Sequence, residues 1–329
     1  MRSVVVLVGV IIFTGTASAQ EPRPKPADVN ATIDRGLAFL AKDALAWKKE
    51  HNRASCHHAS LVVWATREAK LHGHAVDEPV LAELTKWLAE SGDGKFGLAR
   101  PASAPKAASP KAIYFALALG VDPKPDEVSQ RGLKLLLKTV AAEQTENGSW
   151  STWPQTRPSI FGSSDESLTV LATLAVLPVA AAGDDSAKAV RDKAVRWLTE
   201  TKTDDDPQSI ALRLVLWNRL GRPAEEGQPL VRRIKESQNA DGGWGQAKDM
   251  ASDAWATGQA LYALAHAGVK SDEPAIRRGQ VFLIKTQRAD GSWPMTSRPV
   301  KPGGEGSKSL IPITGAGSAW AVLGLVRSR

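Results

Sequence analysis

The sequence predicts an all-α protein, a single α/α toroid in which six helical hairpins form an inner and an outer ring of helices. Two observations predict this fold. A short aromatic motif recurs with a period of about fifty residues, and amphipathic segments alternate with more apolar ones along the 329-residue chain. Because about 300 residues at about fifty per repeat make six hairpins, both observations lead to the same ring.

The recurring motif consists of a Gln after an apolar helix, an Asp-Gly or Asn-Gly turn, and a large aromatic residue. Glycine allows the positive φ that the turn needs, and the indole can pack back on the helix before it. The copies occupy residues 93–96, 147–150, 241–244 and 290–293, and the first is weaker because Phe96 replaces Trp. The motif therefore predicts a structural contact rather than a reactive site.

Two sets of helices are predicted from the hydrophobic periodicity. The outer set shows an apolar stripe with basic residues outside and covers residues 29–49, 79–90, 126–143, 187–201, 225–237 and 274–286. The inner set is richer in Ala, often opens with a polar cap, and covers residues 58–71, 110–119, 165–181, 207–220, 253–267 and 318–326. Glycines that close inner helices are predicted at Gly73, Gly120, Gly183, Gly221 and Gly268.

The N-terminus predicts export. Arg2, an apolar run over residues 4–13 and the small residues 17–19 are typical of a signal peptide over residues 1–19, followed by a Pro-rich lead-in over 20–27 and the toroid over 28–329. The apolar run is too short for a membrane span, and no later run is longer, so we expect no transmembrane anchor after cleavage and a periplasmic or extracellular location.

The charge distribution argues against one class of partner, and the cysteine content argues against disulfide crosslinks. The net charge is +7, but the basic residues are spread over helix faces and loops, which argues against nucleic-acid binding. The single cysteine, Cys56, cannot form an internal disulfide, so we expect burial to stabilise the fold.

Residues 278–293 fit the pattern basic-Gly-x-x-aromatic-aliphatic-x-x-x-Gln-x-x-x-Gly-x-Trp. This pattern resembles the Gln-Trp repeat of squalene-hopene and oxidosqualene cyclases and, more loosely, of protein prenyltransferase β subunits. The resemblance covers nearly all of the chain after the leader. It implies a toroid of the terpenoid-cyclase superfamily whose Gln-Trp elements tie the outer helices together. Squalene-type cyclases have two helical domains, whereas this chain has the length for one.

The acidic run before one inner helix is the catalytic candidate. Asp204, Asp205 and Asp206 resemble the Asp-x-Asp-Asp motif of class II terpene cyclases, in which crowded carboxyls keep one protonated as a strong acid. The register places Asp205 on the proton donor, although Thr203 stands at the first acidic position. The alternative is a solvated loop that caps the helix.

The starts of the inner helices should meet at one end of the ring, because all inner helices run the same way. We therefore predict a ligand site at a common cavity mouth, and for Asp165 and Asp253 the alternative is a helix cap. Aromatic faces in the cavity can stabilise a carbocation. The predicted ligand-binding residues are His57, His58, Asp165, Asp253, Trp64, Trp255 and Tyr262.

No cofactor is firmly predicted. Residues 53–58 resemble the c-type haem attachment motif with Arg53 in place of the first Cys, so one thioether and an axial His57 could hold a haem. Cys56, His57 and His58 are alternatively metal ligands, or a helix cap with a buried thiol. The prenyltransferase zinc position is matched by residues 253–255, where Trp255 cannot ligate zinc.

These observations predict an exported, terpenoid-cyclase-like toroid that binds an apolar, isoprenoid-like molecule or lipid in its central cavity, with acid-initiated cyclisation as the reaction that the resemblance implies. Three alternatives stay open. One is a metal- or haem-binding protein that uses the segment Cys56, His57 and His58. A filled core favours a non-catalytic interaction scaffold, and an open acidic groove favours a carbohydrate-active toroid with Asp165 or Asp253 opposite Asp205.

Overall fold

The computed structural model describes residues 24–51, 53–91, 110–151, 164–297 and 311–329. The predicted signal peptide, the weak motif copy at 93–96 and most of the two long connections at 92–109 and 294–314 lie outside the described residues.

The described chain is all-α, as predicted. Its helices are α1 (Pro26–His51), α2 (Leu61–Leu71), α3 (Glu78–Glu90), α4 (Pro110–Gly120), α5 (Glu127–Ala142), α6 (Asp165–Ala181), α7 (Asp185–Glu200), α8 (Pro207–Arg219), α9 (Ala224–Glu236), α10 (Ala254–His266), α11 (Pro274–Thr286) and α12 (Ile311–Ser328). The even-numbered helices form the inner ring, because each packs against the next and α12 packs against α2. The odd-numbered helices lie outside.

Four details differ from the sequence prediction. A π-helical turn, Cys56–Ser60, precedes α2, and α12 begins at Ile311 instead of residue 318. A short antiparallel pair, β1 (Trp244–Gly245) and β2 (Ser252–Asp253), leads into α10. Gly120 is the last residue of α4 and does not take the positive φ that the four other helix-closing glycines take, because α4 extends through it.

The three described Gln-Trp motifs make the same set of hydrogen bonds, which confirms their structural role. Each indole Nε1 donates to a carbonyl of the outer helix that precedes it, from Trp150 to Val140 (2.8 Å), Trp244 to Ile234 (2.7 Å) and Trp293 to Leu283 (2.7 Å). Each Trp backbone N–H donates to a hydroxyl of the following inner helix, on Thr169, Thr257 and Ser318. One motif therefore joins an outer helix to an inner one.

The Gln of each motif reaches the next outer helix. Its Nε2 donates to a backbone carbonyl at 2.9 Å, from Gln144 to Val190, Gln238 to Ala275 and Gln287 to Thr32. The last bond joins α11 to α1 and closes the outer ring. Each Gln also donates to the Gly of its own turn.

Glycines bring the last two inner helices into close contact. A Cβ on Gly258 of α10 would overlap the backbone carbonyl of Trp320 in α12, and a Cβ on Gly324 would lie 2.6 Å from the Gly258 oxygen. The backbones can approach this closely only because neither position carries a side chain. As a result, α10 and α12 leave no space between them.

Candidate functional site

Four aromatic side chains from α2, α10 and α12 meet on the inner side of the ring. All four are buried, with at most 4% of each exposed. Their ring centroids lie 5.2 Å apart for Trp64 and Trp320, 5.7 Å for Tyr262 and Trp320, 5.9 Å for Trp255 and Trp320, and 6.1 Å for Trp64 and Tyr262. Edge-to-face contacts of this kind are typical of a packed core. We call this group the axial aromatic cluster.

Two small voids border the axial aromatic cluster in the described part of the chain. One, of about 20 Å³, lies between α8 and α10 beside Trp255 and Gln246, and another of about 20 Å³ lies beside Trp64 among α4, α6 and α8. A void of this size holds one water, whereas small-molecule pockets measure about 300–1,000 Å³. Within the described residues, these two voids are therefore too small for a small-molecule ligand.

Two indole groups of the cluster are unusual because their N–H donors are buried without a hydrogen-bond acceptor. These are Nε1 of Trp64 and Nε1 of Trp320. A buried donor without a partner destabilises a fold by about 1–3 kcal/mol. An oxygen atom of a bound molecule or a water would satisfy them.

The acidic loop before α8 faces solvent. The Asp205 side chain is 96% exposed, and its Oδ1 lies 2.7 Å from Nη2 of Arg233 on α9. Asp206 is the N-cap of α8 and accepts the Ser209 N–H at 3.0 Å. This setting is the opposite of the buried, crowded carboxyls from which acid catalysis by Asp205 was predicted, and it matches the capping alternative.

Glu166 is a buried carboxylate that the sequence reasoning missed. It is 2% exposed, its Oε1 lies 2.6 Å from Nε of the buried Arg213, and its Oε2 accepts the Asp204 N–H at 2.6 Å. Burial raises the pKa of Glu166 and lowers the pKa of Arg213. The sequence does indicate such a partner, because Arg213 lies within the apolar run of α8 and a buried cation needs an anionic neighbour. This pair anchors the acidic loop.

Asp253 is buried at the start of α10, with 2% exposed. It is the N-cap of that helix, and its Oδ1 accepts the Ala256 N–H at 3.0 Å. Its Oδ2 accepts the Thr296 hydroxyl at 2.8 Å and the Gln246 amide. Burial raises the pKa of Asp253, and these hydrogen bonds oppose that effect. Among the predicted acids it has the setting that most favours a retained proton.

Asp165 does not cap its helix. Ser164 is the N-cap of α6, and its hydroxyl accepts the Ser167 N–H at 3.1 Å. Asp165 is the first helical residue and is exposed, with Oδ2 3.4 Å from the Ser151 hydroxyl. The capping alternative for Asp165 is therefore wrong by one residue, because a serine that precedes it takes the cap.

The His57–His58 segment packs against the outer helix α1. The side chain of His58 is 2% exposed, its Nε2 lies 3.3 Å from Oδ2 of Asp43, and its ring stacks on Trp47. Burial lowers the pKa of His57 to about 4 and of His58 to about 3, and raises the pKa of Asp43 to about 6. At neutral pH both imidazoles are therefore uncharged.

Cys56 lies beside these histidines, with Sγ 3.8 Å from Nδ1 of His57, and burial raises its pKa to about 12. At neutral pH the Cys56 thiol therefore keeps its proton. No group of three His, Cys, Asp or Glu side chains among the described residues is arranged to hold a metal ion. The structure thus gives no support to the metal and haem alternatives at this segment.

The inner-helix starts share one end of the ring but have different environments. The hydroxyls of Ser164 and Ser209 are 3.0 Å apart and join the starts of α6 and α8. Gly315, near the start of α12, packs against Asp43 and His57. Yet Asp205 is exposed, Asp253 is enclosed by Gln246 and Thr296, and His58 is covered by α1. The polar members of the predicted ligand site, His58, Asp165 and Asp253, are therefore held by separate sets of neighbours, unlike the aromatic members, which meet in the axial aromatic cluster.

None of the helices in the described ranges is both long and apolar enough to cross a membrane.

Comparison with known proteins identifies the fold. Residues 191–289 match the family model of the squalene-hopene cyclase N-terminal domain. No curated protein sequence matches the chain. Type II terpene cyclase MstE from Scytonema in its apo form is similar in structure, with a TM-score of 0.54, 15% identity, and coverage of 93% of this chain and 99% of that one.

A variant of the same cyclase, in complex with its substrate geranylgeranyl dihydroxybenzoate, gives a TM-score of 0.53 at 13% identity and covers 92% of this chain and 97% of that one. Because both chains are covered almost completely, a toroid of this length is sufficient for one type II terpene cyclase.

Proposed function

This chain has the α/α-toroid fold of the terpenoid-cyclase superfamily, and from that premise we propose that it is a non-catalytic interaction scaffold whose centre is packed with aromatic side chains. The observation that carries the proposal is the axial aromatic cluster, bordered in the described residues by voids of about 20 Å³. A C20 isoprenoid needs a pocket of several hundred Å³. The rings would have to be displaced before such a chain could enter.

The state of the predicted acid supports the same proposal. Protonation of an alkene needs a carboxyl that is held neutral next to the substrate. Asp205 is exposed and paired with Arg233, on the solvent side of the acidic loop. The toroid would thus keep the superfamily's Gln-Trp ties without its acid.

A second function, isoprenoid binding on the axis, is favoured by the unpartnered Trp64 and Trp320 N–H donors. A ligand oxygen would satisfy them, and the substrate bound by the similar cyclase is an isoprenoid with oxygen-bearing groups. In this alternative the rings rotate to admit the ligand, and Asp253 beside Trp255 is the proton donor for any cyclisation. Its burial is the reason for choosing it over Asp205.

Incubation of the purified protein with geranylgeraniol and with squalene distinguishes the two functions. The scaffold proposal predicts no cyclised product by gas chromatography–mass spectrometry and no stoichiometric complex by native mass spectrometry. A complex with wild type supports axial binding if Trp320→Phe, which removes one free N–H donor, weakens it. A product that is lost in Asp253→Asn and kept in Asp205→Asn assigns the acid to Asp253.

We also propose that the protein works outside the cytoplasm, on the basis of the leader-like residues 1–19. Mass spectrometry of the protein from a periplasmic or culture-medium fraction should give an N-terminus at Gln20. A mature protein that still contains residues 1–19 would contradict export by cleavage.

A further inference from the structure

An apolar groove lies on the outside of the ring, between α5 and α7 and above α6. Its volume is about 680 Å³. Leu133 and Leu137 of α5, Val176 and Val179 of α6, and Val190 of α7 line it. This volume falls in the range of small-molecule sites, unlike the voids of the axis. We call it the α5–α7 groove.

The walls of the α5–α7 groove are held together by a Gln-Trp tie. Gln144, just after α5, donates from Nε2 to the Val190 carbonyl of α7 at 2.9 Å. The indole of the same motif, Trp150, is fully buried. The groove is therefore framed by two helices in fixed relative positions.

Two lysines on one rim of the groove have no counter-charge. Lys134 and Lys138 are one helical turn apart on α5, line the groove and are exposed, and neither forms an ion pair within the described ranges. Other lysines do pair, as the half-buried Lys48 with Glu83 (2.6 Å) and the exposed Lys70 with Glu78 (2.7 Å). Like charges at this spacing repel each other, so a bound anion would stabilise α5.

Asp184 is the acidic side chain among the described residues that line the groove, and it forms no ion pair with either lysine. Asp184 is the N-cap of α7, and its Oδ1 accepts the Ala187 N–H at 2.8 Å. Within the described ranges, the groove thus combines an apolar floor with two unpaired lysines on one edge. Charge complementarity calls for an occupant with a long apolar part and an anionic end.

We propose that the α5–α7 groove binds a single-chain amphiphile with a carboxylate head, such as a long-chain fatty acid or an isoprenoid acid. The chain lies on Leu133, Leu137 and Val179, where its burial drives binding. The carboxylate sits between the ammonium groups of Lys134 and Lys138. This site is separate from the axis and does not depend on whether the axial aromatic cluster opens.

Titration of the full chain with cis-parinaric acid, followed by the fluorescence of the bound probe, tests this site. We expect saturable binding of one molecule, weakened about tenfold or more in the double variant Lys134→Gln/Lys138→Gln, since two charge-assisted contacts are lost. Val179→Asp, on the partly exposed floor, should weaken binding as well. Lys48→Gln/Lys70→Gln, with the same change in charge elsewhere, should leave binding unchanged.

The results that would contradict this proposal concern the carboxylate head group of the ligand and the position at which it binds. Absence of saturable binding, equal affinity for the methyl ester of the probe, or an unchanged affinity in the Lys134/Lys138 double variant would overturn the proposal. Binding that is lost in Trp320→Phe and kept in the lysine variant would place the probe on the axis. That outcome would overturn the scaffold proposal too, whereas absence of binding leaves the packed axis unaffected.

Discussion

The Gln-Trp motifs and the starts of the inner helices differ in how regular they are: the motifs repeat one arrangement, whereas each helix start has its own. The three described Gln-Trp motifs repeat the same hydrogen bonds, and the lengths of their indole bonds agree within 0.1 Å. At the inner-helix starts, a serine caps α6, an exposed loop precedes α8, a buried aspartate caps α10 and a π-helical turn precedes α2. The Gln-Trp motifs therefore maintain the ring, while the inner-helix starts share no common arrangement.

Removal of one tie should give the largest effect. Trp293→Ala deletes a fully buried indole that also packs on Gly36 of α1, so we expect a loss of about 3–5 kcal/mol in the free energy of unfolding. Urea denaturation measures it. Trp197→Ala, a partly buried Trp on α7 outside the ties, should cost clearly less. Equal losses of stability in the two variants would show that the Gln-Trp motifs contribute no more to stability than another Trp of the chain.

Two acids from the inner-helix starts should differ in their effect on stability. Asp253→Ala removes a cap and leaves the buried Gln246 amide without its carboxylate acceptor, for a loss of about 2–4 kcal/mol. Asp205→Ala removes an exposed ion pair and should change stability by less than about 1 kcal/mol. If thermal unfolding shows similar shifts for both variants, the two environments do not differ as described.

The contact between α10 and α12 can be tested with glycine substitutions. Gly258→Ala places a methyl group on the Trp320 backbone and should cost about 1–3 kcal/mol by separating the helices. Gly120→Ala is the matched control, since its nearest neighbour outside α4 would be 3.6 Å away. Chemical denaturation of both proteins should show a loss only for Gly258→Ala.

Acid should destabilise the protein through His266. Burial, then Arg327 and Arg219, lower its pKa from 6.5 to about 3. Below pH 6.5 the unfolded chain binds a proton on His266 that the folded protein does not. The contribution of His266 to the free energy of unfolding is therefore constant above pH 6.5 and falls as the pH drops. At pH 5 the loss is up to about 2 kcal/mol.

His266→Gln should flatten that part of the pH profile in denaturation experiments between pH 5 and 7. The difference between the two proteins isolates it from Asp43, whose raised pKa acts in the opposite direction and adds stability as the pH falls below about 6. A variant with the same pH dependence as wild type would contradict a buried, neutral His266.

The parts that were predicted correctly depend on repetition and periodicity. The turn glycines Gly148, Gly242 and Gly291 all have positive φ, and the helix pairs lie where the apolar patterns placed them. Both properties are local, so the residues that determine them are adjacent in the chain.

The candidate site could not be predicted in the same way, because it is formed by contacts between residues that are far apart in the sequence. Asp43 reaches His58 from an outer helix, and Arg233 binds Asp205 from the next hairpin. Periodicity shows that Trp64, Trp255 and Tyr262 face inward, but whether inward rings enclose a cavity or touch depends on the distance between helices. Gly258 and Gly324 set that distance between α10 and α12, and their pairing across two helices is not visible in either segment alone.

The packed axis is the central claim, and xenon binding in a crystal tests it most directly, because xenon enters apolar cavities that are empty of water. Wild-type crystals under xenon pressure should show no xenon among Trp64, Trp255, Tyr262 and Trp320, whereas Trp320→Ala should show it in the space that the indole leaves. Xenon at full occupancy within the aromatic cluster of the wild type would contradict the packed axis and the scaffold proposal that depends on it.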